Sequence, residues 1–424
     1  MAFHKYKVVS KEGLIENYNN LKDIKPKHLP KEVWIWDETL RDGEQTPGVF
    51  LTIDEKTEIA KLMDDMGVAV IAAGFPAVSK SEAKAVKRIA NEGFSASIAA
   101  PARALHSDID ACIDCGVDEI PLFIASSNLH LKYKLKMTRE EVLDGVSDSV
   151  AYAKDHGVVV DFILEDSSRS EFDFLVQIYK TAIESGADRI CACDTVGFLR
   201  PLSMKYLMGR LRDEIWKIKK VPLAVHCHND FGLATANTLA AVEEGVTFPL
   251  ICINGYGERA GNAAFEEVVM ALEVLYGINT HIKTDMLYEL STLTEKFFTV
   301  PLPIHKAIVG VNAFSHESGI HVHGELGHPL TYEPIAPESI GRKRQFILGK
   351  FTGRHIIRRK LKSKNIEATD DQICNILDKI KKEQESIGKK ERCDMFDEVK
   401  ERTLKMHSGV DDDRFWAIVS EILE

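Results

Sequence analysis

The sequence predicts a (β/α)8 TIM barrel with a C-terminal lid and helical subdomain, and three observations support this α/β fold. Between residues 33 and 275, short apolar or β-branched runs alternate with amphipathic helical segments, which is typical of a parallel sheet covered by helices. Eight such pairs fall within a length of about 250 residues, which suits a closed barrel. The alternative, a doubly wound sheet, is disfavoured because no Gly-x-Gly-x-x-Gly follows the first strand.

The predicted elements alternate without interruption through the barrel. Each strand is a short run rich in Val, Ile, Leu or Ala, and each helix shows apolar residues at a period of 3.6. The predicted strands are Val33–Asp37, Ala69–Ala73, Ala96–Ala100, Glu119–Ile124, Val158–Leu164, Arg189–Cys193, Leu223–His226 and Leu250–Ile253. The predicted helices lie near Asp54–Met66, Lys80–Asn91, Leu105–Cys115, Arg139–His156, Glu171–Ser185, Leu202–Ile215, Leu233–Glu244 and Ala264–Leu275.

Three regions are expected along the chain. Residues 1–32 are polar and Lys-rich, and we predict an N-terminal extension with one helix around Lys11–Leu21. Residues 33–300 form the barrel. Two prolines then mark the start of residues 301–424, which we predict to be a linker, a lid rich in histidine and glycine, and a C-terminal helical subdomain.

The composition argues against a nucleic-acid-binding protein and against a membrane protein. The formal net charge of −11 implies no broad basic surface, so no nucleic acid is expected as a partner. No apolar stretch approaches the roughly 20 residues needed to span a membrane, and the N-terminus lacks the apolar segment of a signal peptide. The eight cysteines are therefore expected to be reduced, and the location to be cytoplasmic.

Polar side chains gather where five predicted strands end. In a (β/α)8 barrel the functional residues lie at the C-terminal ends of the strands, and charge buried there without a partner is costly. A metal ion and an anionic substrate are suitable partners for these groups. The five clusters are Asp37–Asp42, Glu165–Arg169, Asp194–Thr195, His226–Asp230 and Asn254–Asn262.

His226 and His228 are two residues apart at the end of the seventh predicted strand. Since side chains alternate between the faces of a strand, both imidazoles point the same way and can hold one divalent cation. Asp42 would add an anionic ligand and Asn262 a weaker carbonyl oxygen. Two histidines and one carboxylate leave coordination positions open, which indicates a catalytic site. The ligand set suits Mn, Zn, Co or Fe, and Mg is also compatible.

Three segments resemble the metal-dependent Claisen-condensing enzymes that include 2-isopropylmalate, homocitrate, (R)-citramalate and Re-type citrate synthases. The segments are Leu40–Gln45, His226–Asn237 and Gly257–Asn262, and the likeness extends over residues 33–360. The resemblance implies an acyltransferase that condenses acetyl-CoA with a metal-bound 2-oxo acid and then hydrolyses the thioester. The product would be a 2-alkylmalate-type acid, released with CoA. The family also implies a homodimer with exchanged C-terminal lids.

The resemblance also assigns residues to the two substrates. Arg41 would polarise the keto oxygen, and Thr195 would contact the substrate carboxylate. Gln45, in the first segment, is also assigned to substrate binding. The loop that follows the eighth strand would bind acetyl-CoA through Gly257, Glu258, Arg259 and Gly261.

The resemblance implies that Glu165, His321 and Tyr332 carry the proton transfers. Glu165 would be a catalytic acid at the end of the fifth strand, whereas His321 and Tyr332 would reach the partner's active site from the lid. His321 is our choice of general base, because an imidazole exchanges protons near neutral pH. Which of the three takes the methyl proton of acetyl-CoA stays open.

The sequence departs from the family pattern at three places that border the oxo-acid pocket. Ala72–Gly74 replaces the common Glu-x-Gly, Ile163 replaces a serine, and Pro121–Leu122 stands where a histidine is common. The oxo acid therefore stays open between a dicarboxylate, such as 2-oxoglutarate or oxaloacetate, and the branched-chain acid that gives isopropylmalate. No residues are left for the regulatory domain of long isopropylmalate synthases, so leucine-type feedback is not expected.

Three other functions share part of this pattern, and each is disfavoured. A CoA-ester lyase of the same superfamily would need a reactive cysteine in the loop after strand eight, and residues 254–262 contain none. A non-haem iron oxygenase shares the set of two histidines and one carboxylate, but it need not have eight β-α repeats. A non-catalytic binding or scaffold barrel has no reason to keep polar groups at five strand ends.

Overall fold

The computed structural model describes residues 15–386 and 388–423, and within them eight parallel barrel strands form a closed sheet. This confirms the predicted barrel. The sheet holds nine segments, because one barrel strand is split. The strands are β1 Trp36–Asp37, β2 Val70–Ala72, β3 Ser97–Ala99, β4 Ala102–Arg103, β5 Glu119–Ala125, β6 Val159–Glu165, β7 Arg189–Asp194, β8 Leu223–Cys227 and β9 Phe248–Ile251, followed outside the barrel by β10 Ser315–His316 and β11 Gln345–Phe346.

The barrel closes where the first and last strands meet. Trp36 of β1 lies opposite Val70 of β2 on one side and Leu250 of β9 on the other. The third barrel strand consists of β3 and β4, and both pair with β5. Pro101 lies between these halves and has no N–H to donate, so the ladder is interrupted there.

The helices cover the barrel and then build the C-terminal region. They are α1 Ile53–Met66, α2 Lys80–Ala90, α3 His106–Cys115, α4 Asn128–His130, α5 Arg139–Asp155, α6 Phe172–Glu184, α7 Pro201–Ile218, α8 Ala234–Val242, α9 Phe265–Ala271, α10 Leu287–Phe298, α11 Gly319–Gly327, α12 Arg354–Lys362, α13 Asp370–Ser386, α14 Lys389–Met406 and α15 Asp412–Leu423. Within the described part of the chain, no helix has both the length and the apolar character needed to cross a membrane.

Three predicted elements differ from the structure, and one helix of the structure is absent from the prediction. Of the predicted strand Val33–Asp37, only the two residues of β1 pair with neighbouring strands. The predicted helix Ala264–Leu275 is α-helical only to Ala271 and then turns into a π-helix. Helix α10 was not predicted. Of the helix expected around Lys11–Leu21, residues 11–14 lie outside the described residues, and the remainder contains only the 3-10 turn Tyr18–Asn20.

Charged side chains are also buried at the N-terminal end of the barrel, opposite the predicted site. Arg189, the first residue of β7, lies 3.1 Å from Glu119 and 3.0 Å from Asp161. Its guanidinium also lies 3.8 Å from the ring centroid of Phe248. Because these groups compensate one another at the end of a barrel that does not carry catalysis, they stabilise the fold rather than bind substrate.

Lys56, on α1, is buried and holds two loops at the opposite end of the barrel together. Its ammonium lies 2.5 Å from Glu44 and 2.6 Å from Glu82, and it donates to the carbonyl of Leu40. Burial raises the pKa of Glu44, although the Lys56 ammonium opposes that effect. Glu82 in turn accepts the Phe75 N–H at 3.1 Å. Lys56 therefore positions both the loop after β1 and the loop after β2.

Replacing Lys56 by methionine is expected to destabilise the protein by about 3–5 kcal/mol, because two mostly buried carboxylates lose their cation. Urea titration followed by circular dichroism measures the effect. Lys61→Met, at an exposed position of the same helix, is the matched control and should stay within about 0.5 kcal/mol of the native protein. If the two variants are equally stable, the ion pairs of Lys56 do not stabilise the fold.

The lid is held together by its own ion pairs. Strand β10 pairs with β11, and the buried carboxylate of Glu333 accepts hydrogen bonds from Arg344 and lies 3.2 Å from His316. Arg344 also lies 2.7 Å from the buried carboxylate of Glu325. These contacts join α11 to the segments on either side of it, so the lid has a defined shape of its own.

Candidate metal centre and active site

The loop after β1 is fixed by short local contacts. Asp37 accepts hydrogen bonds from the N–H and the hydroxyl of Thr39 at 2.8 and 3.0 Å. The Thr39 hydroxyl in turn accepts the Ile253 N–H at 2.8 Å. Burial raises the pKa of Asp37 to about 7, despite the bonds from Thr39. Asp37 therefore ties the first strand to the loop after β9, and it does not line the pocket described below.

Asp42, His226 and His228 converge, and all three are buried. Their ligand atoms lie within 4.8 Å of one another. The two Nε2 atoms are 3.2 Å apart, and Asp42 Oδ2 lies 3.6 Å from that of His226 and 3.9 Å from that of His228. The imidazole planes are nearly perpendicular, at 88°. The structure thus brings together three residues that are far apart in the sequence.

The spacing of the two imidazole nitrogens fits one divalent ion, and the Asp42 oxygen lies slightly further away, at 3.6 and 3.9 Å. Two ligand atoms at about 2.0–2.1 Å from a tetrahedral or octahedral centre are about 2.9–3.4 Å apart, and the two imidazole nitrogens fall in that range. The donor set of two imidazoles and a carboxylate suits a first-row divalent metal. His228 lies one residue beyond β8 and forms an isolated bridge with Asn262, which turns its side chain toward the same point.

Electrostatics favour the ligand forms of two of these side chains. Burial alone would raise the pKa of Asp42, but Arg41 and the two histidines hold it well below its usual range. Burial and the neighbouring His226 lower the pKa of His228 to about 3, so this imidazole is neutral. Burial would also lower the pKa of His226, but the hydrogen bond and charge of Asp42 outweigh it and raise that pKa.

Asn262 contacts the carboxylate rather than the histidines. Its Nδ2 donates to Asp42 Oδ2 at 2.5 Å and to the carbonyl of Tyr256 at 3.1 Å, and its Oδ1 has no hydrogen-bond partner. In this orientation the amide positions Asp42. Gly257 makes the approach feasible, since a Cβ on it would lie 2.2 Å from Asn262 Nδ2. Its N–H donates to the Thr46 hydroxyl at 2.9 Å, which joins this loop to the loop after β1.

The predicted substrate residues lie around the same point. Arg41 donates to Glu38 at 2.6 Å and lies 3.4 Å from Asp42. Thr195 accepts the Asp166 N–H through its hydroxyl at 2.8 Å, and its carbonyl accepts a bond from Arg259 at 2.7 Å. Because both residues are fixed by their neighbours, the polar atoms at the barrel mouth keep a set arrangement.

One pocket collects most of the predicted site. Of the predicted residues, Gly257, Gly261 and Asn262 lie outside its lining and shape the glycine loop that borders it. Those that do line it are Arg41, Asp42, Gln45, Glu165, Thr195, His226, His228, Glu258 and Arg259.

The lid residues His321 and Tyr332 are not among the residues that line this pocket. Their rings stack on each other at 4.2 Å between centroids, and both side chains are exposed. Within the described residues of one chain, the site therefore lacks the proposed base and its lid partner.

Sequence reasoning missed several lining residues. Lys134, in the π-helix after β5, donates to both oxygens of Glu165 at 2.7 and 2.6 Å. Phe75 and Pro101 also line the pocket, and Glu38 holds Arg41. Lys134 lies some way beyond the end of its strand, so the sequence pattern does not mark it as a site residue. Its place in the pocket depends on the course of the loop after β5.

Comparison with known proteins places this geometry in a family. Residues 32–294 match the family model described as HMGL-like, and residues 308–387 match one described as Homocitrate synthase post-HMGL domain-like. The chain is 52% identical over 375 residues to the 2-isopropylmalate synthase of Methanocaldococcus jannaschii, which covers 88% of this chain and 72% of the relative.

Other matches support the same grouping. The chain is 50% identical over 358 residues to the homocitrate synthase of Methanopyrus kandleri, covering 84% of this chain and 89% of that one. Among solved structures, the HMG-CoA lyase of Bacillus subtilis superposes with a TM-score of 0.58 at 21% identity, over 65% of this chain and 96% of that chain. At this identity the likeness concerns the fold alone.

Proposed function

Because the chain belongs to the HMGL-like family, we infer that it is an acyltransferase that condenses acetyl-CoA with a 2-oxo acid and releases CoA. The relatives at about half identity are synthases of this kind, which confirms the resemblance found in the sequence. The observation that carries the proposal is the convergence of Asp42, His226 and His228 beside Arg41 in one pocket. A CoA-ester lyase is disfavoured, since residues 254–262 have no cysteine.

The metal set proposed for this site is Asp42, His226 and His228, with Asn262 as a weaker fourth member. A divalent ion held there would act as a Lewis acid on the keto group and hold the oxo acid in place, and Mn, Zn, Co and Mg all remain candidates. Arg41 directs its guanidinium to the place where alkoxide charge develops. It stays charged, because loss of hydration would lower the pKa of the half-buried Arg41 but the charges of Glu38 and Asp42 outweigh this effect and raise it.

The remaining side chains bind and orient the two substrates. Thr195 and Gln45 lie at the mouth, where they can contact the oxo-acid carboxylate. The loop with Gly257, Glu258, Arg259 and Gly261 is proposed to bind acetyl-CoA, and two of its members line the pocket. Glu165 lies at the end of β6, lines the pocket, and is proposed as a catalytic acid there. In the condensation the acetyl methyl group loses a proton and its carbon joins the keto carbon, whose oxygen takes up a proton. Water then cleaves the thioester to a carboxylate and the CoA thiol.

The activity test uses the purified chain, acetyl-CoA and a panel of 2-oxo acids. Release of free thiol is followed with a thiol reagent, and the product is identified by mass. Thiol release should depend on a 2-oxo acid, stop on treatment with a chelator, and return when a divalent metal is added. Absence of thiol release with every oxo acid in metal-replete enzyme would contradict the proposed function.

We also propose that the enzyme is a homodimer in which each lid covers the partner's barrel. Exposed apolar side chains on five βα loops surround the pocket mouth, and we call this set the mouth rim: Phe50, Val78, Tyr133, Phe198 and Phe231. The lid exposes its own apolar side chains at Ile320 and Phe351. Exposed apolar patches of this kind mark protein interfaces, and a two-fold dimer would cover both.

The exchange of lids predicts complementation between two inactive variants. His321→Ala should lower turnover by roughly 10²-fold or more without loss of metal, because a proton-transfer group is removed. His226→Ala removes a metal ligand. When both are mixed and allowed to exchange subunits, half of the dimers pair one of each, and in each of these one site is complete. About a quarter of native activity should therefore return.

The control for this experiment is each variant mixed with itself under the same exchange conditions. Gel filtration and crosslinking should show a dimer in every sample. If the mixture stays as inactive as its parents although mixed dimers have formed, His321 serves the barrel of its own chain, and the exchange of lids is wrong. Near-native turnover of His321→Ala alone would remove this residue from the mechanism.

A cytoplasmic location is part of the same proposal. All eight cysteines lie in the described residues, and the structure leaves every one of them as a free thiol. Free thiols persist where glutathione and thioredoxin keep proteins reduced.

A further inference from the structure

We propose that the oxo acid carries an apolar side chain, and that Phe123, Ile163 and Cys193 bind it as an apolar wall beside the metal ligands. This inference rests on the proposed function and specifies its substrate class. It follows from the apolar side chains that line the pocket beside His226 and from the pairing of the charges around that pocket.

The three side chains of the apolar wall line the same pocket as His226. Phe123 of β5 lies opposite Ile163 of β6 in the sheet, and Cys193 of β7 lies opposite His226 of β8. Side chains two residues apart on a strand face the same way, so Glu165 stands above Ile163 and Thr195 above Cys193. Ile163 lies opposite Cys191, so Cys193 is two residues nearer the mouth, and the apolar wall extends along the barrel interior to the level of His226.

Other lining residues extend the apolar wall. The ring of Phe75 meets that of Phe123 edge to face, with centroids 6.0 Å apart. Pro101 and Pro121 line the same pocket, and a proline has no N–H with which to bind a carboxylate. An oxo acid fixed by its keto and carboxylate oxygens at the metal ligands would thus direct its side chain at carbon and sulfur atoms.

Among the described residues that line the pocket, every arginine and lysine is already paired. Arg41 bonds to Glu38, Arg259 bonds to Asp230 through two nitrogens at 2.8 and 2.9 Å, and Lys134 bonds to both oxygens of Glu165. A second carboxylate on the substrate would have to share a cation that already holds a carboxylate of the protein. Lys134 lines the same pocket as the apolar wall, and moving it would leave Glu165 without its partner.

Physical chemistry then favours an apolar side chain at this wall. A carboxylate pressed against Phe123 and Ile163 would lose its hydration without gaining a free cation, which is costly. An alkyl or aryl group at the same place is removed from water and gains van der Waals contact with the apolar wall. Discrimination between substrates in such a pocket amounts to about 10-fold or more.

The test compares 2-oxo acids on the metal-replete dimer with saturating acetyl-CoA. We expect kcat/KM for 3-methyl-2-oxobutanoate, 4-methyl-2-oxopentanoate or phenylpyruvate to exceed that for 2-oxoglutarate and oxaloacetate by about 10-fold or more. Pyruvate is the reference, since its methyl group is too short to cover the wall. A dicarboxylate as the best substrate would overturn the inference and leave the proposed function intact, whereas no thiol release with any acid would defeat the function itself.

A variant of the wall gives an independent readout. Ile163→Ser should lower kcat/KM for the preferred apolar acid by about 10-fold, mainly through KM, while kcat/KM for pyruvate changes less than about twofold. Ile218→Ser, at an exposed site on α7, is the control and should change neither value. Equal losses for both acids in a variant with native melting and metal content would contradict a role in substrate selection.

Discussion

His226→Ala is expected to give a folded protein with almost no metal and almost no turnover. The imidazole of His226 faces both His228 and Asp42, so its removal leaves only two ligand atoms, His228 Nε2 and Asp42 Oδ2, which lie 3.9 Å apart. Metal affinity should fall by more than the roughly 10²-fold that changes outside the ligand shell cause. Because Lewis-acid activation is worth several kcal/mol, turnover should fall by at least about 10³-fold.

Two measurements separate the effects in this variant. Calorimetric titration of Mn²⁺, Co²⁺ or Zn²⁺ reports the affinity, and thiol release at saturating metal reports turnover. His156→Ala, an exposed histidine at the end of α5, should keep native values for both. A variant at position 226 that binds metal as the native enzyme does and turns over normally would disprove the assignment of the metal centre.

The sequence predicted the barrel because its signal is repeated eight times. Each repeat pairs a buried apolar run with an amphipathic helix. An error in the bounds of one predicted strand does not change the number of repeats. Apolar runs report burial rather than ladder bonds, which is why Val33 and Ile35 are fully buried yet lie outside β1. The helix α10 was missed because it follows the last barrel repeat and has no strand before it to set an expectation.

The site was predictable to the extent that it lies at strand ends. His226 lies near the end of β8, Thr195 comes directly after β7 and Asp42 lies in the loop after β1. The ends of parallel strands meet at one face of the barrel. Lys134 reaches the pocket from a π-helical loop whose path depends on tertiary packing. For His321 the motif predicts a catalytic histidine. Which barrel its lid covers depends on how the chains assemble, and no local sequence pattern specifies that assembly.

The Arg41→Gln variant is expected to bind metal as the native protein does but to have a much lower kcat. The guanidinium lines the pocket, where Glu38 and Asp42 fix its orientation, and it is already in place before charge develops on the keto oxygen. Removal of one such preorganised donor lowers kcat by about 10²–10³-fold. Metal affinity should change far less, because Asp42 and the two histidines remain. Pre-steady-state thiol release measures the chemical step directly.

Two further variants locate the cause of that loss. Arg41→Lys keeps the charge but cannot bond Glu38 and the substrate with one planar group, so its kcat should lie between those of the native enzyme and the glutamine variant. Arg88→Gln, at an exposed position on α2, should leave kcat unchanged. Since Arg41→Gln leaves Glu38 and Asp42 without their cation, its melting temperature is measured alongside. If kcat were near native in a stable, metal-loaded Arg41→Gln protein, the oxyanion would have to be stabilised by another group, and Arg41 would serve only to neutralise its two carboxylates.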